Sequence, residues 1–345
     1  MSDIQSLSDM LHASGLQYRV FDLGRRVVSL SQKLFGEIEN GNKPYPYPLM
    51  QQAWLGVVFW DRDDKTRNAV WFVKLPLDEQ ALLIPAARDD FLRRVLDRRK
   101  NVDAGEVGDG PMAGALEDNP YAFRPADEVM AVFHAKATRV LGEGPSEFYD
   151  FTRAYLEDTE KGDWTVLGVQ GIADVCARLD KHDNDALLAD ALAVMPVEPL
   201  AAFCRALESE SIPLPVARAL GERAGRAKDA PVMAACIRGL SYAQAAGLRD
   251  DIIGTLLSRD AGSHPDVLMA VSNRAWESLA NERLTALFLE RLAESGEGQD
   301  FFNTVVADLL YLPGMRGPLL KAIRDPDRSP AVSAAIGGLF KAYAR

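Results

Sequence analysis

The acidic run Asp61-Arg62-Asp63-Asp64 directly follows the apolar stretch Val57–Trp60. Aspartates two apart behind a strand can transfer phosphoryl groups, one attacking phosphorus and one handling the proton, with magnesium offsetting the charge. That motif also wants Thr or Val at its fifth position, and here Lys65 stands there, with Thr66 one place late. A second strand begins within about eight residues, which fits a tight hairpin and not a parallel sheet. The acids therefore read as a solvated turn.

Three cysteines, Cys176, Cys204 and Cys236, invite a metal reading, because Cys204 and Cys236 each lie five residues after a proline, Pro199 and Pro231. Zinc takes about four ligands, and the chain has no Cys-x-x-Cys and no His-x-x-x-His. Small buried thiols on an apolar helix face explain them better. His12, His134, His182 and His264 are scattered, with no Gly-x-Ser-x-Gly or His-Glu-x-x-His around any of them. Gly105–Gly110 and Gly142-Glu143-Gly144 follow no strand and lack the Lys-Ser/Thr of a phosphate loop. No residue is assigned to catalysis, to a cofactor or to a metal.

Contact chemistry is better represented. Pro44-Tyr45-Pro46-Tyr47-Pro48 holds an extended backbone with three positions lacking an N–H. Tyr45 and Tyr47 are then either amphipathic anchors for a partner or half-buried side chains of a stiff connector. Arg205, Arg238 and Arg274 fall six, seven and nine residues after Pro199, Pro231 and Pro265. If those prolines open equivalent helices, the arginines form a ladder suited to an acidic partner segment. The other reading pairs each arginine with a nearby acid such as Glu208 or Glu277. Arg93, Arg94, Arg98 and Arg99 put a basic face on Arg88–Lys100, diluted by Asp89, Asp90 and Asp97.

These residues need elements to hold them. Residues 1–100 read as a small α+β domain. It has a short helix ending at Gly15, strands at Gln17–Asp22 and Arg26–Leu30, a helix over Ser31–Glu39, and an antiparallel hairpin over 53–75. Arg88–Lys100 reads as a helix with its apolar stripe at Phe91, Leu92, Val95 and Leu96. Residues 101–125, with four Gly and three Pro, read as an acidic linker. From 126 to 345 the pattern is helical, with repeats of about 33 residues from 163. One series of helix starts falls at Pro199, Pro231, Pro265 and Pro330, with a missing marker near Phe301. A second falls near Asp183, Pro215, Leu248, Arg283 and Arg316. Two interleaved series of nearly equal period predict stacked helical hairpins; coincidental spacing in an irregular helical domain is the alternative. The predicted fold is an α+β N-terminal domain followed by an all-α solenoid, mainly α overall.

Composition bounds the rest. The chain has 345 residues, 48% hydrophobic and 26% charged, which excludes wholesale disorder. No apolar run approaches the ~20 residues that span a bilayer. The first 20 residues show no secretory signal, and the sparse cysteines fit a reducing compartment, so a cytoplasmic location is expected. The net charge is −11 and uneven: residues 1–100 carry 15 Lys+Arg against 13 Asp+Glu, residues 101–345 carry 24 against 37. That balance argues against general nucleic-acid binding by the C-terminal part.

The segments Gln17-Tyr-Arg-Val-Phe-Asp-Leu-Gly-Arg-Arg, Pro44-Tyr-Pro-Tyr-Pro and Val70-Trp-Phe-Val-Lys-Leu-Pro-Leu-Asp-Glu resemble an uncharacterised gammaproteobacterial family of cytoplasmic proteins, a domain of unknown function, over nearly the whole chain. The resemblance implies no activity and no site. The period and pattern of 163–345 resemble short HEAT-like α-solenoids. The function expected is a non-catalytic, cytoplasmic interaction or scaffold protein whose partner is another protein, with no membrane and no cofactor; a homo-oligomer is compatible with it. The alternatives are an enzyme with its site in the N-terminal domain or at the domain junction, and an RNA-associated factor using Arg93–Lys100.

Overall fold

The computed structural model describes residues 6–102, 114 and 116–343, the side chains of 99–102 and of Tyr343 excepted. The chain divides into two units, Met1–Gly144 and Pro145–Arg345.

In the first unit, Ser6 caps α1 (Leu7–Ala13), and Gly15, at φ +72°, turns the chain into β1 (Leu16–Asp22). β2 (Val28–Leu30) pairs antiparallel with β1, and Ser31 caps α2 (Gln32–Glu39). β3 (Gln52–Asp61) and β4 (Asn68–Pro76) form the long hairpin, in register Val57↔Trp71. The sheet is antiparallel throughout, in the order β2-β1-β3-β4. Its hydrophobic pattern explains its layers. β4 alternates, burying Trp71, Val73 and Leu75, whereas nearly all of β3 is buried because both of its faces are covered. Trp71 meets Phe91 of α3 (Pro85–Val102) on one face. On the other, Phe133 of α4 (Asp127–Leu141) lies 5.4 Å from Phe21 and 5.2 Å from Phe72, ring centre to ring centre.

Two boundaries differ from the expectation drawn from composition. α4 belongs with the sheet, not with the helical domain that composition opens at 126. Gly56 admits it: a Cβ there would stand 2.7 Å from Phe133 Cε2. Part of the expected 101–125 linker is also structure. Lys74 N donates to Tyr121 O and Phe123 N donates to Phe72 O, so Tyr121–Phe123 extends along the outer edge of β4. Phe123 stacks edge-on against Trp54 and Phe72, which anchors that segment. Residues 103–113 and 115 of the expected linker, including Gly105–Gly110, lie outside the described residues.

The second unit is helical among its described residues: α5 (Phe148–Glu157), α6 (Val169–Cys176), α7 (Asn184–Val194), α8 (Val197–Leu207), α9 (Leu214–Arg226), α10 (Ala230–Leu240), α11 (Ala246–Leu257), α12 (Pro265–Asn273), α13 (Glu282–Ala293), α14 (Gly298–Tyr311), α15 (Arg316–Ile323) and α16 (Pro330–Tyr343). The starts of α7 to α16 lie within three residues of the two expected series. Each helix packs on the helix two places along, α5 on α7 through to α13 on α15, and α6 on α8 through to α14 on α16. Two stacked rows result, and each helix buries an apolar stripe that it could not bury alone.

Candidate functional site

The even-numbered row carries the candidate site. Local signals set where its helices begin. The Asp229 carboxylate accepts from Val232 N and Pro231 sits in the first turn of α10, while α12 begins at Pro265, behind the cap His264. With the starts set, helical spacing decides which side chains go inward. Leu200, Phe203, Cys204 and Leu207 of α8 are buried, as are Val232, Met233, Cys236, Ile237 and Leu240 of α10, and Val267, Leu268 and Val271 of α12.

The face left outside forms a cleft of about 320 Å³ that crosses all three helices. Arg205, Arg238 and Arg274 all line it, so the structure brings the three expected arginines together. Ala201, Ala234, Ala235 and Ala270 lie between them, with Met269, Asn273 and Asp266 beside them. Glu208, only 10% exposed, sets the electrostatics. Its Oε2 accepts from Arg238 Nε at 2.8 Å and stands 3.2 Å from Arg274 Nε. One carboxylate oxygen thus serves two guanidinium groups, and the bond Arg238 makes through Nε leaves both its terminal amino groups for another acceptor. Arg205 is exposed and has no hydrogen bond or ion pair to any described residue. Two of the three arginines share Glu208, and Arg205 does not.

The lining alanines and Glu208's double role go beyond what the arginine offsets show. A repeated signal does mark the alanines. Ala201, Ala234 and Ala270 each stand four residues before an arginine, so Ala-x-x-x-Arg recurs in α8, α10 and α12.

The other expected residues do not join this cleft. Tyr45 is completely buried; its hydroxyl donates to Asp22 Oδ1 at 2.5 Å, so it is an internal support and not an anchor for a partner. Asp22 also accepts from the backbone N–H of Gly24, Arg25 and Arg26, and burial pushes its carboxyl up to about 6 in spite of these bonds. Burial and the neighbouring Asp22 push the Tyr45 hydroxyl up as well. Tyr47 is half-buried on the same segment. Tyr45 N donates to Ala81 O and Arg25 Nε donates to Pro48 O, so the proline run lies across its own unit as a connector.

On α3, Arg93 and Arg94 both pair with Asp90, and Arg98 pairs with Glu117. The basic face is therefore largely occupied by the protein's own acids. Asp61 and Asp64 brace the hairpin turn by accepting from Asp63 N and Thr66 N. Cys176, Cys204 and Cys236 are buried, and a hydrogen bond with Cys236, together with burial, keeps the Cys204 thiol well above its ordinary range. Among the described residues no group of three His, Cys, Asp or Glu side chains could hold a metal, and no helix is long and apolar enough to cross a membrane. The four histidines are exposed and apart; His182 Nδ1 and the Tyr149 hydroxyl share a hydrogen bond of 3.0 Å, at a turn where His182 and Asp183 both have positive φ.

No curated protein and no solved structure matches the chain. One family model does, over residues 2–340, and the chain therefore belongs to the family described as a protein of unknown function (DUF3549).

Proposed function

We propose that the protein is a non-catalytic, cytoplasmic interaction protein whose HEAT-like stack of helical pairs holds another protein chain on the outer face of the even-numbered row. The observation that carries this reading is the convergence of three arginines, from three successive helices, on one alanine-floored cleft. Stacked helical repeats present extended surfaces of this kind. A photo-crosslinking residue placed at Met269, which is 37% exposed at the cleft, tests it against the same residue placed at Thr255, exposed on α11. A discrete protein adduct from position 269 in the native cell, and none from 255, is the expected result. No adduct from 269, or equal adducts from both positions, would count against the reading.

A further inference from the structure

We infer that the cleft across α8, α10 and α12 takes an extended peptide whose alternate residues are Asp or Glu, an inference that rests on the interaction reading above.

Three features of the cleft define this ligand. The first is length. Packed helices lie about 8–10 Å apart, so three in a row offer a track of about 20 Å. An extended chain rises about 3.3 Å per residue, so about six residues cross it. The second is spacing. Side chains on one side of an extended chain recur every second residue, at about 7 Å, close to the helix-to-helix step that separates successive arginines. Acids at alternate positions therefore meet Arg205, Arg238 and Arg274 in turn. The alanines between the arginines keep the floor low, which lets a main chain approach.

The third feature is charge. Three cations line the cleft with two anions, Asp266 on α12 and Glu208, the latter shared between Arg238 and Arg274. Arg205 has no described partner at all. The lining thus keeps one net positive charge, centred on Arg205, which an incoming carboxylate balances through forked guanidinium contacts. The surroundings limit the length of the anion. Residues 145–345 carry 29 acids against 21 bases, so a uniformly charged polymer such as nucleic acid meets repulsion beyond the cleft, whereas a short acidic stretch does not. Glu208 competes with the incoming acids for Arg238 and Arg274.

The test uses the full-length protein and a fluorescein-labelled peptide of four Ala-Glu repeats, followed by anisotropy at low salt. Saturable binding is expected, displaced by the unlabelled peptide, with no binding of the corresponding Ala-Lys peptide or of an eight-nucleotide oligouridylate. Arg205→Glu, at an exposed position, should weaken binding at least tenfold while leaving thermal unfolding unchanged. Glu208→Gln keeps an acceptor but removes the competing charge, and should tighten binding several-fold. The proposal is overturned by absence of saturable binding, by an affinity that Arg205→Glu does not change, by unchanged or weaker binding in Glu208→Gln, or by oligouridylate binding more tightly than the peptide. The two readings fail separately. A crosslink from position 269 that survives Arg205→Glu leaves the interaction protein standing and removes the acidic occupant. Loss of the crosslink in the otherwise unaltered protein removes the interaction reading itself.

Discussion

Asp22 shows how much one buried carboxyl can do. It ties the turn after β1 to the proline run through Tyr45, and it does so with no exposure to water. Its carboxyl titrates near 6 in the folded protein against an ordinary 3.8. A raised value means that the fold favours the protonated form. That contribution is fully present below about pH 4 and is lost as pH rises through about 6. A shift of this size corresponds to about 3 kcal/mol. Urea midpoints for the first unit, followed by tryptophan fluorescence, should therefore fall between about pH 4 and 6. In Asp22→Asn, which cannot titrate, that fall should be much shallower; an unchanged slope would rule out Asp22 as its source. Tyr45 was legible as an unusual residue but not as a buried one. Three alternating prolines dictate an extended backbone, and nothing in their spacing says which surface it lies on. The arginine offsets, by contrast, were informative because a helical period converts offset directly into position. Glu208 could be paired with an arginine on paper, but its sharing between two of them depends on rotamers that pattern does not specify.

At the scale of elements, the contact between α4 and the sheet is the informative one. Gly56 on β3 leaves the gap that the buried ring of Phe133 fills. Gly56→Ala puts a methyl group within 3 Å of that ring and of Leu23 Cδ1. Overpacking of this kind costs about 1–3 kcal/mol. A lowered thermal midpoint in Gly56→Ala, partly restored by Gly56→Ala with Phe133→Leu, is expected; no loss in the single variant would mean that α4 does not need this approach. This pairing is also where sequence pattern misleads. The apolar stripe of α4 looks like that of any later helix, and the glycine that admits it lies 77 residues earlier in the chain. The starts of the later helices were readable because prolines, Asp183 and Asn281 stand at or next to the first turns of many of them.

For the whole molecule, the division between Gly144 and Pro145 makes a direct claim about separable parts. A fragment of residues 1–144 keeps α4 on its sheet and should unfold cooperatively, as should 145–345. A fragment of residues 1–125 lacks α4, exposes Phe21, Gly56 and Phe72, and should be aggregated or unfolded. Circular dichroism and urea titration of the three fragments check this. Cooperative unfolding of 1–125 would return α4 to the helical part.

The two-row stacking also bears on how the chain emerges during synthesis. Most of the hydrogen bonds and ion pairs that tie helix to helix in the second unit join residues about 30–39 apart, as with Arg238 and Glu208 or Lys321 and Glu282. Low separation of this kind favours rapid folding. Each new helix finds its seat almost as soon as it leaves the ribosome, and the array grows one layer at a time. The sheet unit has no such schedule. Lys65 bonds to Val140 O, 75 residues on, and Gly56 must wait for Phe133. Its apolar hairpin therefore stays uncovered on one side until the helix at its far end has been made, and that interval is when the nascent chain is most open to a chaperone or to a neighbouring copy.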